Sequence, residues 1–331
     1  VRIKISAVYL IGIFLFQFAS LSGKDLRPAI SRIEHPEIAG QTIYAMAGKN
    51  GRRAIALRNK IFVESQDGLT ELFDHTNSPL LEGGTITSLE LTESDIWAAQ
   101  SAPSQNPGLF HYSDGKWHSY KQPDAAGLLN NNVRVIHADA DDSIWIGHRR
   151  EGVSHYIEAV NPVFKNTKIM HFYDFELISL YMQLTHLWAG STNGIVRYRS
   201  EIGSSYDLNI DKWVFPEFPA REAFCITEHT NHRIVAGTGR GLAIFDGQTW
   251  KLKGKSDGIQ ALPVRQIQKS GNYLWLGSPA GLQLWSEGSE SIFLTEQDGL
   301  PSSVITVLAI DENGNLLAGT EKGAAIIAAP R

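Results

Sequence analysis

Residues 273–282 read YLWLGSPAGL: an apolar run closed by a glycine, a short turn, a second glycine and another apolar run. The same order recurs in SIWIGHRREGV (143–153), HLWAGSTNGI (186–195), RIVAGTGRGL (233–242) and NLLAGTEKGA (315–324). The first glycines are Gly147, Gly190, Gly237, Gly277 and Gly319, spaced by 43, 47, 40 and 42 residues. Upstream, DIWAAQ (95–100) is a degenerate copy with Ala99 in the glycine position, and AIALRNKIFV (54–63) is another, with Leu57 in that place. A period in the low to mid forties, built from β-branched and aromatic runs, matches one four-stranded propeller blade per copy.

Seven copies therefore predict an all-β, seven-bladed β-propeller over residues 23–331, about 44 residues per blade. In the copy ending at Gly147, strand A is read as Val133 to Ala138, strand B as Ile144 to Gly147 and strand C as Val153 to Ile157. Trp117, Trp213 and Trp250 mark the fourth strand of their copies. The last copy stops one strand short, with a single run from Ala324 to Ala328 after Gly323. The segment from Ala29 to His35 has no blade of its own and is expected to supply that strand, joining both ends of the chain in one sheet and covering open edges.

Residues 1–22 carry Arg2 and Lys4, then a mostly apolar stretch from Ile5 to Ala19, then small residues. That is the layout of a cleaved secretory signal peptide. It predicts a periplasmic or secreted protein of bacterial origin, with a membrane anchor formed by an uncleaved N-terminal helix as the other reading. Cys225 is the only cysteine, which excludes an intramolecular disulfide, and its apolar run reads as a small buried thiol. Formal charge is -5 for the whole chain and -7 without the first 22 residues, so nucleic acid is not an expected partner.

The closing copy, GLPSSVITVLAIDENGNLLAGTEKGA (299–324), resembles the two-component regulator propeller repeat. Gly299, Leu300, Pro301, Asp311, Gly314, Asn315, Gly319, Thr320 and Gly323 fit that pattern, while Leu317 replaces its Trp and Ala324 its final Leu. Asp139, Trp145 and Gly147 keep the register in the third copy. The resemblance implies an extracytoplasmic sensor region of a signalling system, with oligosaccharides among the ligands of some members. The sequence ends at Arg331 with the propeller, so signalling is expected to pass through a separate membrane protein.

Trp97, Trp145, Trp188 and Trp275 share one strand B position, a repetition that points to packing between blades; Trp285 lies outside the pattern. No HExxH, paired Cys or compact His/Asp cluster is present, and the acidic turn Asp139, Asp141, Asp142 lacks the glycine and glutamate of a calcium loop. Neither catalytic residues nor a metal or cofactor is expected. Propeller topology brings the B–C turns and the approaches to strand A onto one face. That face collects Arg134, His148, Arg149, Arg150, Glu222, Arg240, Arg265 and Lys322. The expected site is Arg134, His148, Arg149, Glu222, Arg240 and Arg265, because guanidinium groups suit carboxylate or sulfate recognition. His137, in strand A, is also expected near the axis. The expected function is recognition of a small anionic or saccharide ligand by a monomer. A propeller lyase or hydrolase and a protein-docking scaffold are the alternatives.

Overall fold

The computed structural model describes residues 27–329 apart from 66, 67, 69, 81, 102–106, 122–126, 140, 158–162, 169–173, 200–212 and 216. The export segment lies outside the described residues. The chain forms seven four-stranded antiparallel sheets, one per copy, and all but the last use consecutive strands. The innermost strands of blades 1 to 7 are Ala45–Lys49, Thr85–Leu91, Val133–Ala138, Leu177–Gln183, Cys225–Glu228, Gln266–Ser270 and Ile305–Ile310. Each touches the inner strand of the blade before and after it, and blade 7 touches blade 1, so the ring closes around a central channel.

The repeat is legible because each of its residue types answers a packing need. The tryptophans at 97, 145, 188 and 275 are at most 1% exposed, each sealed in its blade and against a neighbour. Trp97 stacks on His111 with ring centres 3.7 Å apart, and Trp145 on His155 at 3.9 Å, in both cases across the B–C strand pair. His111 and His155 are anchored in turn by Asp95 and Ser143, each at 2.9 Å. Trp285 joins the core too, its Nε1 donating to the Asp257 carbonyl at 3.2 Å.

The glycines answer a second need. A Cβ on Gly237 would stand 2.4 Å from Cys225 Sγ and 2.6 Å from the carbonyl of Val264 on the next blade. On Gly190 it would stand 2.5 Å from the Ala223 carbonyl, and on Gly147, Gly277 and Gly319 it would press on Leu177, Ile305 and Ile43 at 2.6, 2.7 and 2.8 Å. In every case the neighbour is the residue leading into the next inner strand. Blades 1 and 2 carry Ala56 and Ala99 instead, and both are fully buried. The register Ala45↔Ala56 puts Ala56 in the glycine position, one residue before the Leu57 suggested by sequence, because blade 1 has a tight four-residue turn from Leu57 to Lys60. Cys225 is packed into this seam, and burial pushes its thiol up to about 12.

Ring closure uses the N-terminal segment. Ile30, Ser31 and Arg32 pair with Ile327, Ile326 and Ala325 as the outer strand of blade 7. Arg32 reaches further, its Nε and Nη2 donating to the carbonyls of Gly299 and Leu300 at 3.0 and 3.1 Å, and Arg27 bonds Asp298. Removing residues 27–40 should lower the melting temperature by about 5 °C or more, since it deletes a strand and exposes the edge of the last blade. A scanning-calorimetry trace unchanged by the deletion would show that closure does not depend on this strand.

Candidate functional site: the channel mouth

Register across the blades defines a ring at the start of the inner strands. The residue immediately before the one paired with the strand B glycine position is Tyr44, Thr87, Arg134, Ile178, Phe224, Arg265 and Thr306 in blades 1 to 7. In blades 2, 3, 4 and 7 the ladder skips this residue as a bulge. A bulge turns a side chain out of its ladder and is common beside binding sites. Tyr44 is one of two markedly exposed large apolar side chains among the described residues, and Arg134 and Arg265 are exposed.

The six residues expected from sequence separate into groups. Arg134 and Arg265 lie in the ring, and neither guanidinium has a hydrogen-bond or ion-pair partner among the described residues. The Arg265 guanidinium carbon is 5.2 Å from the centre of the Phe224 ring, its neighbour in the preceding blade, in the range of a cation–π contact. Desolvation at the channel wall, and next the charge of Arg149, hold Arg134 below its ordinary value, with Glu176 opposing them. Arg149 and Arg240 lie on the B–C turns further out and are engaged. Arg149 Nη2 meets Glu176 Oε1 at 2.8 Å, and Arg240 Nη1 donates to the Pro219 carbonyl at 3.3 Å. Arg150 shares Glu176 at 3.7 Å, and Lys322 pairs with Glu296 at 3.3 Å. Glu222 is half-buried beside Gly239, next to the Arg240 turn.

His148 does not stand on the rim. It is fully buried, with Nε2 2.7 Å from Ser154 Oγ, and burial pushes its pKa down to about 3. The same position after the glycine holds Ser191, Thr238, Ser278 and Thr320, whose hydroxyls donate back to the carbonyls of Gly194, Gly241, Gly281 and Gly323. It is a turn-fastening position, and alignment of the copies at this residue carries that signal.

Three positions further along the inner strands the equivalent residues are Ala47, Glu90, His137, Tyr181, Thr227, Gln268 and Ala309. The His137 and Tyr181 rings are 5.6 Å apart, and desolvation, opposed by the charge of Asp139, lowers the His137 pKa. Glu90 was not apparent from sequence because it lies in a degenerate copy. Burial raises it to about 8, although Lys49 and a hydrogen bond from the Ala138 amide act in the other direction. Lys49 is itself held by Asp142 at 2.5 Å, a bridge from blade 1 to the A–B turn of blade 3. At the mouth's outer side, a hollow of about 400 Å³ opens between Gln41, Tyr44, Arg58 and Asn59, with Lys60 and Glu37 paired at 2.6 Å. Among the described residues, no three His, Cys, Asp or Glu are grouped so as to hold a metal ion, and no helix is long and apolar enough to cross a membrane.

Residues 127–150, which run through strands A and B of blade 3, match the family described as Two component regulator propeller. The chain carries a two component regulator propeller repeat. No curated protein matches the chain. Among solved structures it is similar to virginiamycin B lyase from Staphylococcus aureus, with 13% identity, a TM-score of 0.68 and coverage of 91% of this chain and 99% of the lyase. PorZ, a surface component of the type-IX secretion system of Porphyromonas gingivalis, gives 16% identity and a TM-score of 0.65 over 87% of this chain and 46% of PorZ. The extracellular domain of a hybrid two component system from B. thetaiotaomicron gives 12% identity and a TM-score of 0.48, over 86% of this chain and 51% of that one. The chain thus spans about half the length of these last two structures. At such identities the likeness is one of fold.

Two titrations should register in stability. Glu90 holds its proton more tightly when folded than when unfolded, so its contribution is complete below the ordinary carboxylate range and is lost as pH rises toward about 8. Glu90→Gln should flatten that decline and melt higher than wild type at pH 8. His148 has the opposite sign: the unfolded state takes up the proton first, so stability falls as pH drops from about 6.5 toward 3. Denaturant midpoints across pH 4 to 9 measure both slopes, and a Glu90→Gln curve parallel to wild type would place Glu90 in water.

Proposed function

We propose that the protein is an extracytoplasmic, sensor-type ligand-binding propeller that takes a small anionic or saccharide ligand at the channel mouth. The observation that carries this reading is the mouth ring, which Arg134 and Arg265 share with Tyr44 and Phe224 and in which both guanidinium groups are exposed and, among the described residues, without a hydrogen-bond or ion-pair partner. A charged side chain with no partner on a rigid inner strand is preorganised for a ligand, and the low-dielectric wall of a channel strengthens its pull on an anion relative to open solvent. The two component regulator propeller repeat supports the signalling half of the reading, and the apolar, twice-charged N-terminal stretch supports the location.

The test is an equilibrium binding and turnover screen over acidic and neutral oligosaccharides. Saturable binding without turnover is the expected result. Turnover would instead assign a propeller enzyme, a reading favoured by the neutral Glu90 carboxyl near His137 and by the lyase-like fold. Absence of both, with a protein captured on the mouth face, would assign a scaffold. For an acidic ligand, Arg134→Ala and Arg265→Ala should each weaken binding roughly ten- to a hundredfold, the worth of one charge-assisted hydrogen bond. Arg149→Ala and Arg240→Ala should cost less than about threefold, because those groups are already engaged at an exposed rim. Equal affinity in both ring variants would mean that the mouth arginines are solvated surface.

A further inference from the structure

The two free guanidinium groups divide the mouth ring into unlike halves. Between Arg134 on blade 3 and Arg265 on blade 6, one arc holds Ile178 and Phe224 and the other holds Thr306, Tyr44 and Thr87. One side is apolar and the other carries three hydroxyls. Thr87 Oγ1 is satisfied by the Val133 carbonyl at 3.3 Å, whereas Thr306 Oγ1 is buried without a partner, and a buried hydroxyl left unpaired is costly. Tyr44 is instead exposed, so its hydroxyl is the one in this arc that a ligand at the mouth can reach.

Charge narrows the ligand further. Glu176 already pairs with Arg149 and Arg150 and acts on Arg134 only from beyond ion-pair distance, and Glu296 answers Lys322, so among the described residues the outer cations are paired while the two innermost ones have no ion-pair partner. Blades 3 and 6 lie on opposite sides of a seven-membered ring. One monovalent acid can neutralise only one of the two groups, and desolvating the other beside it is unfavourable. Phe224, held against Arg265, offers a flat apolar face between them.

We infer that the mouth is built for a dianion: a flat ligand with two acidic groups, one on Arg134 and one on Arg265, its apolar face toward Phe224 and Ile178 and a hydroxyl-bearing edge toward Tyr44. This rests on the ligand-binding reading above and names the class of ligand.

Titration calorimetry of the full chain with benzoate, isophthalate and 5-hydroxyisophthalate tests it, since the three share one ring and differ in charge and edge. Isophthalate should bind at least tenfold more tightly than benzoate, and that advantage should vanish in Arg134→Ala and in Arg265→Ala while their melting temperatures stay at the wild-type value. The 5-hydroxyl should add a several-fold gain that Tyr44→Phe abolishes. Equal affinity for benzoate and isophthalate, persistence of the dianion advantage in either arginine variant, or no binding by any of the three would overturn the inference. If an oligosaccharide from the screen still binds and loses affinity in the arginine variants, the mouth reading stands and only the dianion assignment falls.

Discussion

The close approach of one blade's second strand to the residue leading into the next blade's inner strand is the contact on which the rest of the molecule depends. It occurs at Gly147, Gly190, Gly237, Gly277 and Gly319, where no Cβ would fit without displacing a neighbour. The partner is each time the residue just before a ring position of the mouth: Leu177 before Ile178, Ala223 before Phe224, Val264 before Arg265, Ile305 before Thr306 and Ile43 before Tyr44. The spacing of the blades and the placement of the mouth side chains are therefore one geometric fact. Interiors packed to crystal density transmit such constraints because they have little free volume to absorb a shift.

Electrostatics is layered on that frame. At the outer rim Arg149 and Lys322 are matched by carboxylates, whereas the ring arginines have no such partner among the described residues, and deeper in the channel burial raises the Glu90 pKa and lowers that of His137. Clusters of perturbed titratable groups and unpaired charges along one axis are what functional clefts show more often than structural surfaces do. The aromatic pairs serve a different purpose. Trp97 on His111 and Trp145 on His155 fasten strands within a blade, so these buried tryptophans serve the packing of the sheets.

The fold was legible because the repeat is carried by strand B, where glycine and tryptophan face severe packing demands. Strand A of blade 3 runs from Val133 to Ala138 as the sequence reading expects, and the closing strand Ile30–Arg32 lies inside the expected Ala29 to His35 segment. The site was legible only in part. Arg134 and Arg265 could be placed on the mouth by topology, but Tyr44 and Phe224 could not, since the ring position precedes or bulges from strand A and no residue type marks it. His148 was misplaced because a histidine after glycine reads as a polar rim residue. Comparison with Ser191, Thr238, Ser278 and Thr320 shows the position to be buried in every copy where it fastens the turn. Glu90 was hidden because its blade lacks the glycine that marks the others.

The dependence of the molecule on the glycine seam is tested most directly by thermal unfolding of Gly237→Val. Its side chain would overlap the Val264 carbonyl and Cys225. Overpacking of a well-packed interior costs about 1–3 kcal/mol or more. A fall in melting temperature of about 5 °C or more is predicted, with Ala99→Gly, at the equivalent position of blade 2, falling by less. A Gly237→Val protein that melts with wild type would contradict the account, because blade spacing would then not be set at this seam.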